Sequence, residues 1–250
     1  MIFTYSYFFI LFFINSNNNW IELFNGKDLE GWEVKINGYE LGKNYKQTFN
    51  VKDGVIQVSY QNYRKFGGKF GHLFYTKKKF KNYILRIDYR FVGNHLKGAP
   101  EWSIKNSGVM LHSQNPKTML KNQEFPISAE AQLLGGLNEG KRSTGNVCTP
   151  GIDVNIKGFK AKNHCVNSTS KTYNNDDWIN IELIVYSDSL IHHVIENDTI
   201  LTYTNLRIGG EFIPENYMDK LGERLESGFI SLQSEGHPIE FKNIKIREIF

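Results

Sequence analysis

Hydrophobic and polar residues alternate with a period of two along most of this 250-residue chain, and turn residues punctuate the alternation. The clearest case is residues 80–91, where Tyr83, Leu85, Ile87 and Tyr89 fall on one face and Ile84, Arg86, Asp88 and Arg90 on the other. That pattern predicts a strand with one buried face. Residues 50–58 predict a hairpin turning at Asp53-Gly54, because both residue types tolerate the left-handed backbone of a tight turn. Residues 107–112 and 129–134 predict two further strands. Residues 178–186, 190–196 and 200–203 predict a three-strand meander, with a turn at Asn197-Asp198, and residues 228–233 and 239–249 close the chain. No segment sustains a helical repeat with caps. Only residues 215–225, after Pro214, suit a short helix. Residues 94–106 and 138–176 are left as long loops, which in a compact domain are usually functional. Many short strands without a linker or repeat predict an all-β sandwich or barrel formed by residues 19–250 as one domain.

Composition agrees with strands: 13 Tyr and 18 Phe suit pleated, half-buried surfaces. The net charge of +4 is small, and the lysines are dispersed apart from Lys77, Lys78, Lys79 and Lys81, which read as a solvated strand end. No nucleic-acid motif surrounds them, so a nucleic-acid partner is not expected. Residues 1–14 are almost wholly apolar and run into a polar stretch at 15–19. A bilayer-spanning helix needs roughly 20 apolar residues. The segment instead resembles the apolar region of a secretory signal, so residues 1–18 are expected to be a signal peptide or N-terminal anchor. The protein is then exported, periplasmic or extracellular, with no stable membrane span once the signal is removed. Cys148 and Cys165 are the only cysteines and read as one disulfide worth about 3 kcal/mol by loop-closure entropy. A rival Cys/His metal site with His164 lacks the C-x-x-C that would supply enough ligands.

Strand alternation selects the candidate chemistry. It puts Gly108, Met110 and His112 on one side of their strand, and Glu130 and Gln132 on one side of the next. A Glu and a Gln projecting together between alanines suit a polar binding face, although an outer face turned to water explains them equally well. His112 taken alone reads more often as a satisfied structural histidine than as a functional one. His192 and His193 are neighbours on a strand and must face opposite ways. Gln233 ends a strand and runs into Ser234-Glu235-Gly236-His237, a place suited either to binding or to an ordinary turn. Trp178 is expected in the core, whereas Trp102, in a loop, could stack on a sugar ring. No G-x-S-x-G, phosphate loop or legible Ser-His-Asp order is present, which argues against a serine hydrolase or a nucleotide enzyme.

An ordered set of segments resembles the 3-keto-disaccharide hydrolase domain family over roughly residues 20–250. Leu23-Phe-Asn-Gly-Lys-Asp-Leu-Glu-Gly-Trp32 is similar to its opening signature. Asn106-Ser-Gly-Val-Met-Leu-His112, Glu130-Ala-Gln132, Gly145-Asn-Val-Cys148, Trp178, Gly228-Phe-Ile-Ser-Leu-Gln233 and Ile239-Glu-Phe-Lys-Asn-Ile244 follow in the family's order. The resemblance implies a two-sheet antiparallel jelly-roll sandwich of the concanavalin A-like lectin/glucanase type, acting on a carbohydrate substrate. It implies cleavage of 3-keto-glycosides: the C3 ketone acidifies the C2 proton, a base removes it, and the enediolate expels the C1 oxygen. His112 and Glu130 are then expected as the acid/base pair or as ligands of a divalent cation, with the two roles open. Asn106, Gln132, Gln233 and Trp102 are expected to bind the sugar. A non-catalytic carbohydrate-binding module of the cell envelope is the competing expectation.

Overall fold

The computed structural model describes residues 20–250; the expected signal or anchor, residues 1–18, lies outside the described residues. The strands in chain order are β1 (Ile21–Glu22), β2 (Trp32–Ile36), β3 (Phe49–Lys52), β4 (Val55–Val58), β5 (Gly71–Phe80) and β6 (Asn82–Phe91). There follow β7 (Asn106–Ser113), β8 (Ala129–Leu134), β9 (Asn146–Cys148), β10 (Ile152–Ile156), β11 (Phe159–Lys160) and β12 (Cys165–Val166). The chain closes with β13 (Ile179–Tyr186), β14 (Leu190–Ile195), β15 (Asp198–Ile208), β16 (Gly228–Ser234) and β17 (Ile239–Glu248). A 3₁₀ helix, Glu215–Lys220, takes the place of the predicted short helix.

The strands form two antiparallel sheets. The larger runs β11-β10-β15-β14-β13-β6-β17-β4-β3, with β1 on β17; the smaller runs β12-β9-β8-β7-β16-β5-β2. One core lies between them. β6 gives it Tyr83, Leu85, Ile87 and Tyr89, as the alternation predicts, and the smaller sheet gives Leu73, Val109, Leu111, Ala129, Ala131, Leu133, Ile230 and Leu232. Full burial of a large apolar side chain contributes about 1.5–3 kcal/mol, so this shared interior holds the two sheets face to face. The β3–β4 hairpin turns where expected, at Asp53 and Gly54, both at positive φ. The β14–β15 turn uses Glu196 and Asn197, one residue earlier than predicted.

Three expectations need correction. Residues 138–176 are not a long loop, because β9 to β12 lie within them; β9, β11 and β12 are too short to show a pattern, and only β10 (Ile-Asp-Val-Asn-Ile) alternates. Residues 82–91 form one strand but residue 80 ends another, with Lys81 between them. Trp178 is not in the core. It lies half-buried on the outer face of the larger sheet, with Lys242 Nζ 4.0 Å and the Arg90 guanidinium 4.6 Å from its ring centre. The lysines at 77–79 are the exposed end of β5.

Candidate active site

The face of the smaller sheet turned away from the core carries the polar residues that alternation selects. Across the strands, Cys148, Glu130, Met110, Ser231 and Phe74 form one row. Gln132 stands between Asn146 and Gly108 in the next row. Their immediate neighbours, Val109, Ala129, Ala131 and Val147, belong to the core, so these side chains face the other way.

Glu130 leans across the sheet over Gly108. A β-carbon on Gly108 would lie 2.5 Å from Oε1 and 2.6 Å from Cγ of Glu130, so only glycine leaves this seat open. The carboxyl lines a cavity of about 400 Å³ with Gln132, Asn106, Arg142, His164 and Glu235. Trp102, Phe125 and Phe212 supply its apolar walls. Trp102 is half exposed and stacks on Phe70 at 5.9 Å; Phe125 packs on Phe212 at 5.6 Å. An apolar cavity with a few converging polar groups is the usual form of a small-molecule site.

Each polar group has a definite setting. The Glu130 carboxyl is pushed up to about 8 by burial, with no donor to offset the cost of its charge. Glu235, buried just beyond β16, is also raised, by burial first and then by the charge of Glu130, and its Oε2 has no hydrogen-bond partner. Gln132 Oε1 accepts from Asn146 Nδ2 at 3.0 Å, and Asn146 Oδ1 accepts from Ser143 and from the Ser168 amide. That chain fixes the Gln132 amide and leaves its NH₂ end for a ligand. Asn106 donates to the Trp102 carbonyl at 3.3 Å, while its Oδ1 is buried without a partner. Arg142 spends its guanidinium on the carbonyls of Lys105, Gly135 and Ile104, which pins the cavity wall. Gln233 is on the same face but fully buried, and neither end of its amide has a partner. Buried polar atoms without partners are uncommon, and those on the cavity's lining residues, Asn106 Oδ1, His164 Nδ1 and Glu235 Oε2, mark a place prepared for polar ligands.

The structure brings Glu130, Gln132, Asn106 and Trp102 together but not His112. A bulge opposite Gly228 breaks the alternation: Ser231 pairs with Met110, while Phe229 pairs with Ser113. His112 takes φ 49° there, and a β-carbon on Gly228 would collide with its carbonyl. The imidazole turns into the sandwich, with Nε2 3.1 Å from the Ser187 carbonyl and the ring edge-on to Tyr83. Burial lowers its pKa to about 4. Counting two side chains per step fails wherever an extra residue is inserted. The expected divalent-cation pair, His112 with Glu130, is therefore not assembled. Among the described residues, the one trio of His, Cys or acidic groups close enough to share an ion is Cys148, His164 and Cys165, and its two sulfurs are joined in a disulfide. That disulfide borders the same cavity, beside Glu130. His192 and His193 face opposite ways as expected, His192 to Thr202 and His193 to the buried Gly145 carbonyl.

The sequence profile of the 3-keto-alpha-glucoside-1,2-lyase-like domain matches residues 19–247. The chain belongs to that family. Membership makes this a carbohydrate-active domain. Among solved structures, a Parabacteroides distasonis protein provisionally assigned as a glycosyl hydrolase superposes with a TM-score of 0.55 at 20% identity, covering 92% of this chain and 94% of its own. A Bacillus subtilis protein of unknown function with a galectin-like fold gives 0.52 at 9% identity, covering 88% and 90%. At such low identities these likenesses speak for the sandwich fold alone. No protein with a curated description matches the chain. Among the described residues, no helix is long and apolar enough to cross a membrane.

Proposed function

We propose that this lyase-like domain cleaves 3-keto-glycosides in the Glu130 cavity, by removing the C2 proton and eliminating the C1 oxygen. The observation that carries the reading is a buried carboxyl, free of tying hydrogen bonds, in a cavity with aromatic walls. A base whose pKa stands near the working pH combines a useful ionised fraction with enough basicity for a carbon acid. In this reading Glu130 takes the C2 proton, and electrons move into the C3 carbonyl to give an enediolate. The C1–O bond then breaks as the ketone re-forms, leaving a C1–C2 double bond conjugated to it. Water addition at C1 makes the overall result hydrolysis.

Gln132 donates its free NH₂ to the developing C3 oxyanion, an interaction that strengthens as charge builds. Trp102 stacks on the sugar ring, Asn106 accepts from a hydroxyl, and Gln233 supports the floor behind them. No step is assigned to a metal, because the residues expected to hold one point to opposite sides of the sheet. The disulfide fits an exported protein, periplasmic or extracellular, where thiols are oxidised.

The test incubates the protein with a 3-keto-α-glucoside and with the unmodified glucoside, with and without added divalent cation, and follows products by mass spectrometry. Release of the C1 substituent from the keto sugar alone is expected. Binding of either sugar without release would favour a non-catalytic carbohydrate-binding module.

A further inference from the structure

Glu235 is a second acid in the same cavity, and its position is as deliberate as that of Glu130. It follows β16 in a turn held by the Gly236 amide donating to Tyr60 Oη at 2.7 Å and by the Leu96 amide donating to the Gly236 carbonyl at 2.8 Å. Gly236 sits at φ 110° against Ala99, so the backbone beyond Glu235 has little room to move. Glu130 leans over Gly108 on β7, the strand between its own β8 and β16, and both carboxyls line the one cavity. Among the described residues neither carboxyl is ion-paired: Arg142, on the same cavity, is held by three carbonyls, burial lowers the pKa of His164, and burial raises that of Tyr60.

Resting on the reading of Glu130 as base, we propose that Glu235 is the general acid of the reaction: it holds a proton beside the Glu130 carboxylate and delivers it to the departing C1 oxygen. Two adjoining buried acids cannot both ionise cheaply, so the pair loses its protons in two separated steps. Each acid feels the other, but Glu235 Oε2 is shut away from solvent without a partner and neither Glu130 oxygen is so enclosed, so Glu235 is the one that keeps the proton. The singly ionised pair thus contains one base and one acid. In elimination, Glu130 gains the C2 proton while Glu235 gives its own to the leaving oxygen. On water addition, Glu235 takes a proton from water as its oxygen bonds to C1, and Glu130 returns its proton to C2. The pair ends as it began, with no oxidant or reductant involved.

The experiment compares E235Q and E130Q on two 3-keto-α-glucosides, one with a sugar alcohol as leaving group and one with 4-nitrophenol, which departs without protonation. E235Q is expected to lose roughly 10²–10⁴-fold in kcat/KM on the first and under about tenfold on the second. E130Q is expected to lose both, and E235D, which keeps the acid, to recover part of the loss. In parallel, carboxyl ¹³C NMR of the substrate-free protein follows both titrations; E130Q is expected to lower the pKa of Glu235. An equal loss on both leaving groups, or a Glu235 titration indifferent to E130Q, would overturn this assignment while leaving Glu130 as base. Failure of the wild type to cleave either keto sugar would overturn it together with the reading it rests on.

Discussion

Gly108 and Glu130 compete for one space: the carboxylate of Glu130 lies where any side chain at position 108 would begin. Gly108 shows no positive φ, so alanine meets no backbone strain there and the whole conflict falls on Glu130. G108A is expected to fold and to lose about 10²-fold in turnover, since displacing a reacting group by about an ångström costs that much. Steady-state kinetics with a circular-dichroism control check it. Wild-type kcat in a folded G108A would separate the seat from the chemistry.

The raised pKa of Glu130 makes it a cost to stability. Its folded value of about 8 lies above the ordinary carboxyl value, so the proton stabilises the native state at low pH, and that contribution is lost as pH rises from about 4.5 to about 8. E130Q keeps the shape without the charge. It is expected to match the wild type near pH 4.5 and to melt higher at pH 8.5. Thermal unfolding across pH checks this, and a variant less stable at pH 8.5 would mean that the carboxylate is stabilised in the fold.

His112 is expected to matter for stability and not for turnover. H112A removes the partner of the buried Ser187 carbonyl and the ring that packs on Tyr83, so a loss of about 2–4 kcal/mol is expected. Denaturant unfolding measures that loss, and kcat per folded molecule is expected to stay within about twofold of the wild type. A selective loss of kcat would return His112 to the reacting set.

The Cys148–Cys165 bridge ties β12 to β9, and Cys148 stands directly opposite Glu130. Reduction, or the C148S/C165S pair, is expected to cost about 3 kcal/mol and to weaken sugar binding, because the cavity wall next to the carboxyl loosens. Melting and calorimetric titration with and without dithiothreitol check both effects. An unchanged melting temperature on complete reduction would contradict this.

The sandwich was legible because burial writes itself as alternation: Tyr83 to Tyr89 on β6 and the Ala129–Leu134 strand needed no other information. Glu130 and Gln132 were legible for the same reason, Asn106 through the ordered family segments, and Trp102 only through its place in a loop. His112 was misread because a bulge leaves no mark in hydrophobicity, although Gly228, the one residue that fits opposite it, is visible in the sequence. Trp178 was misread because a tryptophan beginning a strand looks like core, whereas the cations that cover it come from β6 and β17. Glu235 stood in a segment that suited binding or an ordinary turn equally. Its chemistry depends on meeting Glu130 across two strands, and that meeting is a property of the sheet order alone.

The most direct test of the account is turnover of a 3-keto-α-glucoside by E130Q. Loss of roughly 10²–10⁴-fold in kcat, with the fold and the sugar affinity kept, is the expected result. Wild-type turnover by E130Q would contradict the assignment of Glu130 as the base that starts the reaction.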